Sequence, residues 1–138
     1  MEKKRESISI RRKETRINAL VFAKGDVLKK ETNEWVPAVT LDANTMVRDI
    51  SPGGLFITSD SELPMNALIG LSFYLPGHQK PISLRGKVIR RTLSKVMMGG
   101  KYGFAIVMAE ISDENKAVIN EFVKEMELMG RRPKARRR

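Results

Sequence analysis

Three arginines near the start of the chain are spaced so that they could bind an anion. Arg11, Arg12 and Arg16 form the pattern R-R-x-x-x-R. Each guanidinium group is a planar fork of N–H donors, which can hold phosphate oxygens or the O6/N7 edge of guanine through paired hydrogen bonds. The spacing alone is weak evidence, because Arg132 and Arg136 repeat it. A solvated basic arm is the alternative interpretation.

A second polar cluster lies within residues 49–54, whose sequence DISPGG has the pattern D-x-S-x-x-G. The Asp49 carboxylate and the Ser51 hydroxyl, carried on a tight glycine turn, are complementary to guanine N–H groups. The same two side chains could instead cap the turn by accepting hydrogen bonds from backbone amides. The joint occurrence of the two clusters favours a guanine-nucleotide site at which no bond is made or broken.

Length and composition limit the class of protein. A chain of 138 residues fits one domain with a single core. Because cysteine is absent, disulfides and thiolate metal sites are excluded. Residues 1–16 lack the apolar segment of a secretory signal, and no apolar run is long enough to span a membrane. We therefore expect a cytoplasmic protein.

The formal net charge of +10 is concentrated at the two ends of the sequence. Residues 1–16 carry +4 and residues 131–138, RRPKARRR, carry +6, so residues 17–130 are neutral overall. The body of the protein therefore has no general attraction for polyanions. The basic ends could still bind nucleic acid or an anionic membrane surface.

Apolar periodicity predicts several short strands followed by one helix. Strands are predicted over residues 18–24, 35–49, 55–58, 67–75, 82–91 and 102–110, with a loop or loose hairpin over 25–34 and a turn over 97–101. Ser112 is the predicted N-cap of a helix that Gly130 ends. Short strands that pair edge to edge, capped by a helix, predict a small antiparallel β-barrel.

The order of these features resembles the PilZ domain family. The resemblance rests on Arg12 and Arg16 as R-x-x-x-R, on VRDISPGGLFI around D-x-S-x-x-G, on the strands GKVIRR and KYGFAIVM, and on the helix that follows them. It implies a mostly β fold, namely a six-stranded antiparallel β-barrel with a C-terminal α-helix. The implied organisation is a flexible segment over residues 1–10, a PilZ domain over residues 11–128 and a basic tail over residues 129–138.

PilZ domains are receptors for cyclic di-GMP, so the resemblance implies a bacterial receptor of this second messenger, with no enzymatic activity, no metal and no cofactor besides the ligand. Arg12 and Arg16 would contact guanine and phosphate groups from a flexible arm. Asp49 and Ser51 would contact a guanine from the barrel face. Gly54 would leave room for the ligand where a Cβ could obstruct it.

Two further arginines are candidates through the same resemblance. Arg11 directly precedes R-x-x-x-R, where an arginine could stack on another guanine and so hold a stacked pair of ligands. Arg90 ends a strand that faces the site in related domains, although an ordinary solvent-facing arginine is an equal alternative. Ligand binding would order the arginine arm and change the surface offered to an unidentified downstream protein.

Other functions have less support in the sequence. His78 is the only histidine and lies in a Pro/Gly loop, where a surface role is more common than proton transfer. Gly99-Gly100-Lys101 lacks the spacing of a phosphate-binding loop. The main alternative is a small basic barrel that binds nucleic acid or another polyanion through its charged ends, and a third is a PilZ-like scaffold that no longer binds ligand.

Overall fold

The computed structural model describes residues 16–93 and 102–136. In these residues the chain forms seven strands and one helix. They are β1 (Ile17–Glu31), β2 (Glu34–Thr40), β3 (Met46–Ser51), β4 (Gly54–Ser59), β5 (Leu68–Phe73), β6 (Ile82–Leu93), β7 (Tyr102–Ile111) and α1 (Asp113–Arg136).

Six of the strands close into an antiparallel barrel. The strand order is β2-β1-β3-β4-β7-β6-β5, and an additional pairing between β1 and β5 closes the ring. Closure depends on the length of β1, whose first residues pair with β3 while residues 23–27 pair with β5. The far end of β1 forms a hairpin with β2, which lies outside the ring. The predicted six-stranded barrel with a C-terminal helix is therefore confirmed, with one outer strand in addition.

The barrel interior is filled by alternate apolar residues. On β4, Leu55 and Ile57 point inwards, and on β7 Phe104 and Ile106 do the same, each at most 5% exposed. The helix covers this core with Ile119, which is fully buried, and with the residues that recur at helical spacing around it. Apolar side chains thus alternate with outward-facing residues along both strands.

Two predicted boundaries between strands are wrong. Residues 25–34 were expected to form a loop or loose hairpin; they do form a hairpin, but a regular one, because β1 continues to Glu31 and a tight turn leads into β2. β1 and β5 approach closely at Gly25, where a Cβ would overlap the carbonyl oxygen of Gly70, so this strand position requires glycine. The single strand expected over residues 35–49 is divided into β2 and β3 by a loop at residues 41–45.

Asp42 fixes that loop against the end of β4. Its carboxylate accepts hydrogen bonds from the backbone N–H groups of Asn44 (2.9 Å), Asp60 (3.0 Å) and Ser61 (3.1 Å) and from the Ser59 hydroxyl. Burial on its own would raise the pKa of Asp42, but these hydrogen bonds together hold its pKa below the usual value. The ionised carboxylate therefore holds the start of β3 in place.

The helix begins as predicted but ends later. The Ser112 side chain accepts a hydrogen bond from the Asn115 N–H at 3.1 Å, which confirms the N-cap. The expectation that Gly130 ends the helix is wrong, since α1 runs to Arg136. A glycine inside a helix costs only about 1 kcal/mol and need not end it. The turn predicted at residues 97–101 lies outside the described residues.

Within the described ranges, no helix combines the length and apolar character needed to cross a membrane.

Candidate functional site

A bulge in β3 decides which way Asp49 points. Val47 and Ile50 are both fully buried, although strict alternation cannot place residues three apart on one face. Arg48 is an extra residue between the pairs formed by Val47 with Ile57 and by Asp49 with Phe56. The bulge therefore turns Asp49 to the outer face, where alternation from Val47 would have directed it inwards.

A bulge in β6 has the same effect on Arg90. Val88 is fully buried, and alternation alone would place Arg90 on the same inner face. The register shifts between Val88 and Arg90, which makes Ile89 the extra residue and leaves Arg90 exposed. Ile89 is itself 51% exposed. Both bulges therefore direct a charged side chain to the outside of the barrel.

These side chains belong to one row that crosses five strands. Register pairs join neighbours in the order Asn18 on β1, Asp49 on β3, Phe56 on β4, Ala105 on β7 and Arg90 on β6. Asp49 and Arg90 are three strands apart, a path of about 14 Å measured along the curved sheet. An aromatic ring and a methyl group thus lie between a carboxylate and a guanidinium group.

The D-x-S-x-x-G turn forms a second, adjacent row. Ser51 pairs with Gly54, and Gly54 pairs with Val107 on β7. The Ser51 hydroxyl donates a hydrogen bond to the Gly54 carbonyl oxygen at 3.3 Å, so it closes the β3–β4 turn and keeps its lone pairs available as acceptors.

Gly54 also has a role in the fold itself. A Cβ on this residue would lie 2.6 Å from the carbonyl oxygen of Ile106. That distance is too short for real side chains, so any other residue would push β4 away from β7. The close approach of these two strands is a structural reason for this glycine, separate from the clearance for a ligand that the sequence suggested.

Both rows line one open cleft of about 680 Å³ on the outside of the barrel. Its wall includes four of the predicted positions, namely Arg16, Asp49, Ser51 and Gly54, together with Arg90. The volume lies within the range of small-molecule sites. Arg11 and Arg12 lie outside the described residues, so their position relative to the cleft stays a prediction.

The apolar floor of the cleft was not anticipated from the sequence. It is formed by Phe56, Ile89 and Val107, of which the last two are 51% and 39% exposed. The sequence did contain a signal for two of these residues. Phe56 and Val107 are large apolar residues at positions that alternation with buried neighbours places on the outer face of their strands. Ile89 carried no such signal, since only the bulge places it there.

The charged groups of the cleft have no protein partner within the described part of the chain. Among residues 16–93 and 102–136, the side chains of Arg16, Asp49 and Arg90 make no hydrogen bond or ion pair with one another or with other described residues. By contrast, Arg85 in a second groove, of about 620 Å³, is paired with Glu110 at 3.3 Å. That groove contains none of the predicted site residues.

The described part of the chain offers no metal centre, since no three of its His, Asp or Glu side chains are grouped closely enough to hold an ion. The chemistry of the cleft is therefore that of two guanidinium groups, one carboxylate, one hydroxyl and an apolar floor. Such a surface can recognise a ligand that combines phosphate groups with planar bases.

Three solved structures of bacterial proteins are similar to this fold. The inhibitor of motility MotI/DgrA of Bacillus subtilis has 18% identity and a TM-score of 0.61; the match covers 86% of this chain and 51% of MotI/DgrA. The PilZ domain of Escherichia coli YcgR with c-di-GMP has 15% identity and a TM-score of 0.56, over 91% of this chain and 98% of that domain.

The PilZ domain of CeSA from a cellulose-synthesising bacterium has 14% identity and a TM-score of 0.53, over 82% of this chain and 98% of that domain. The chain thus spans about half the length of MotI/DgrA and nearly all of the two isolated domains. At these identities the likeness concerns the fold alone. No curated protein sequence is significantly similar to this chain. The family model described as PilZ domain matches residues 10–125, and the chain therefore belongs to the PilZ domain family.

Proposed function

We propose that this protein is a receptor for cyclic di-GMP, that it binds the ligand in the cleft beside the β3–β4 turn, and that it catalyses no reaction. The observation that carries the proposal is the convergence of Arg16, Asp49 and Ser51 on one cleft in a PilZ fold. Arg16 is far from the other two in sequence, and the pairing of β1 with β3 is what brings them together.

The cleft supplies complementary groups for each part of the ligand. Asp49 accepts hydrogen bonds from guanine N–H groups, and the lone pairs of Ser51 accept another. Arg16 donates to phosphate oxygens or to the O6/N7 edge of guanine. A purine ring lies against Phe56 and its apolar neighbours, where contact with an aromatic face is favourable.

Arg90 extends the site beyond the residues of the two motifs. It approaches from β6, on the side of the cleft opposite Asp49. The two residues form no ion pair with each other, and the two strands between them leave room for a ligand that both side chains contact. Arg90 therefore binds the part of the ligand farthest from β3.

The remaining arginines of R-R-x-x-x-R act from the segment that leads into β1. Arg12 precedes Arg16 by four residues, a length of chain that can span at most about 14 Å. Binding orders this arm over the ligand, with Arg12 on phosphate or guanine and Arg11 on a second stacked ligand. The ordered arm changes the surface presented to a downstream protein, which is how a receptor without catalytic groups transmits the signal.

In this proposal the receptor unit comprises residues 11–128. Residues 1–10 and 129–138 flank it and make no direct contact with the nucleotide.

Isothermal titration calorimetry of the full chain with cyclic di-GMP, GTP and cyclic di-AMP tests the proposal. We expect binding of cyclic di-GMP alone, at one or two ligands per protein. Absence of binding, together with tight RNA or DNA binding at physiological salt, would instead favour the polyanion-binding alternative.

The double variant Arg12→Ala/Arg16→Ala tests the site. Each arginine makes charge-assisted hydrogen bonds worth about 1.5–3 kcal/mol, so the loss of both lowers affinity more than a hundredfold. The matched control Arg131→Ala/Arg132→Ala removes the same charge from the end of α1 and leaves affinity within a few-fold. Full binding by the Arg12/Arg16 variant would refute the site assignment.

A further inference from the structure

Asn18 lies beside Asp49 at the edge of the cleft. The two residues are register partners on β1 and β3. Asn18 is exposed on the outer face, whereas its neighbour Ala19 is buried. Facing side chains of paired strands have Cβ atoms about 5 Å apart. The wall of the cleft includes Asp49 and Arg16, and Asn18 stands just outside that wall, two residues after Arg16 in the sequence.

A bulge in β1 is what places Asn18 at this position. If β1 and β3 stayed in step from Val21 onwards, Ala19 would lie opposite Asp49. The register instead shifts by one residue, so Asn18 is the partner of Asp49. Leu20 lies within the shift and has a φ of +53°, a left-handed conformation that is strained for a leucine. Bulges and strained residues are over-represented beside functional sites.

Asn18 has no hydrogen-bond partner that would explain an asparagine in a strand, where this residue type is depleted. Within residues 16–93 and 102–136, the amide of Asn18 and the carboxylate of Asp49 make no hydrogen bond. By contrast, Asn44 and Asn115 both donate from their side-chain amides to other residues. An unpaired donor therefore lies beside an unpaired acceptor on the outer face.

A donor beside a carboxylate matches the Watson–Crick edge of guanine. That edge presents two neighbouring N–H groups, on N1 and N2, followed by the O6 acceptor. The Asp49 carboxylate can accept from the two N–H groups while an amide N–H of Asn18 donates to O6. Adenine has an amino group in place of O6 and an acceptor in place of N1–H. Both side chains would then face the wrong group.

We propose that Asn18 is a specificity-determining residue of the cyclic di-GMP site, and that its amide donates a hydrogen bond to O6 of the guanine that Asp49 holds. This role rests on the receptor function proposed above and adds a base-reading residue to it. Arg16 then binds N7 of the base or a phosphate oxygen. The paired strands β1 and β3 thus read the full edge of one guanine.

Calorimetry of the full chain with cyclic di-GMP measures the contribution of the amide. Asn18→Ala removes one neutral hydrogen bond and lowers affinity about two- to tenfold. Asn18→Asp lowers it further, because a carboxylate then faces the O6 acceptor and repels Asp49. The control is Asn120→Ala, which removes an exposed asparagine of α1 outside the cleft and leaves affinity unchanged. The urea midpoints of the Asn18 variants stay at the value of the unmodified chain.

Cyclic di-IMP identifies the ligand atom that Asn18 contacts. Its bases lack the 2-amino group of guanine and keep O6 and N1–H. Asn18→Ala therefore lowers the affinity for cyclic di-IMP by the same factor as the affinity for cyclic di-GMP. Asp49→Ala costs less with cyclic di-IMP than with cyclic di-GMP, because one of the two N–H partners of the carboxylate is absent from this ligand.

The outcomes separate this role from the receptor function itself. Failure of the unmodified chain to bind cyclic di-GMP would overturn both. Binding by the unmodified chain, with the same affinity in Asn18→Ala or an equal loss in Asn120→Ala, would overturn the role of Asn18 alone. A loss in Asn18→Ala that disappears with cyclic di-IMP would also overturn it, since the amide would then contact the 2-amino group and not O6.

Discussion

Replacement of Asp49 by alanine separates specific recognition from simple electrostatics. The substitution removes a negative charge close to a ligand that carries two phosphate charges, so Coulomb's law predicts tighter binding. At about 8 Å in water, the relief is about 0.5 kcal/mol for each phosphate. Against this, the carboxylate loses charge-assisted hydrogen bonds to guanine, worth about 1.5–3 kcal/mol. The balance is a net loss of about 0.5–2 kcal/mol, or about two- to thirtyfold in affinity.

The same substitution should leave the fold unchanged. The Asp49 side chain lies on the outer face and has no hydrogen-bond or ion-pair partner among the described residues. We therefore expect the free energy of unfolding to change by less than about 0.5 kcal/mol. A weaker site in an equally stable protein would identify Asp49 as a ligand contact and exclude a structural turn cap.

Calorimetry at physiological salt, paired with urea unfolding, measures both quantities. Asp26→Ala is the matched control: Asp26 is a half-buried aspartate on β1, outside the cleft, and its removal changes the net charge equally. We expect that control to keep or slightly raise the affinity. A higher affinity in the Asp49 variant, or the same change in both variants, would refute the reasoning.

Three further outcomes follow from the structure. Gly54→Ala places a Cβ against the Ile106 carbonyl oxygen, so urea unfolding should show a free energy of unfolding that is lower by about 1–3 kcal/mol. An unchanged free energy would mean that β4 and β7 can move apart without cost. Asp42→Ala removes the acceptor of four hydrogen bonds and should cost about 1–2 kcal/mol at neutral pH. The folded pKa of Asp42 is lowered, so its stabilisation is present above the unfolded pKa of about 4 and is lost as the pH falls through the folded value. The acid unfolding curves of the variant and the wild type should therefore converge. A chain ending at Gly130 should bind cyclic di-GMP within a few-fold of the full chain by calorimetry, and a large loss with an intact circular dichroism spectrum would place part of the site in the deleted residues.

Local patterns in the sequence were sufficient for most of the fold. The inner residues of β4 and β7 alternate with outer ones, and the Ser112 cap with its acidic first turn marks the start of α1. Both features depend on residues a few positions apart, which is the range over which side-chain periodicity and capping act. Arg16, Asp49 and Ser51, which line the cleft, likewise belong to clusters that were visible as spacings of residue types.

The sequence was less informative where strand pairing or helix continuation overrides a local signal. The polar residues after Gly25 resemble a loop, yet they form a strand because β2 and β5 supply hydrogen-bond partners. Gly130 resembles a helix end, yet the small intrinsic cost of glycine does not stop α1. Such outcomes depend on the partners that a segment finds in the folded chain.

The geometry of the cleft was decided by the tertiary structure alone. Alternation from Val47 and Val88 would bury both Asp49 and Arg90, and only the extra residues Arg48 and Ile89 turn them to one outer face. A bulge is a mismatch between the residue counts of two paired strands, so it is not a property of either strand's sequence. The sequence determined which groups are available to bind a nucleotide, and the strand register determined that they lie together over an apolar floor.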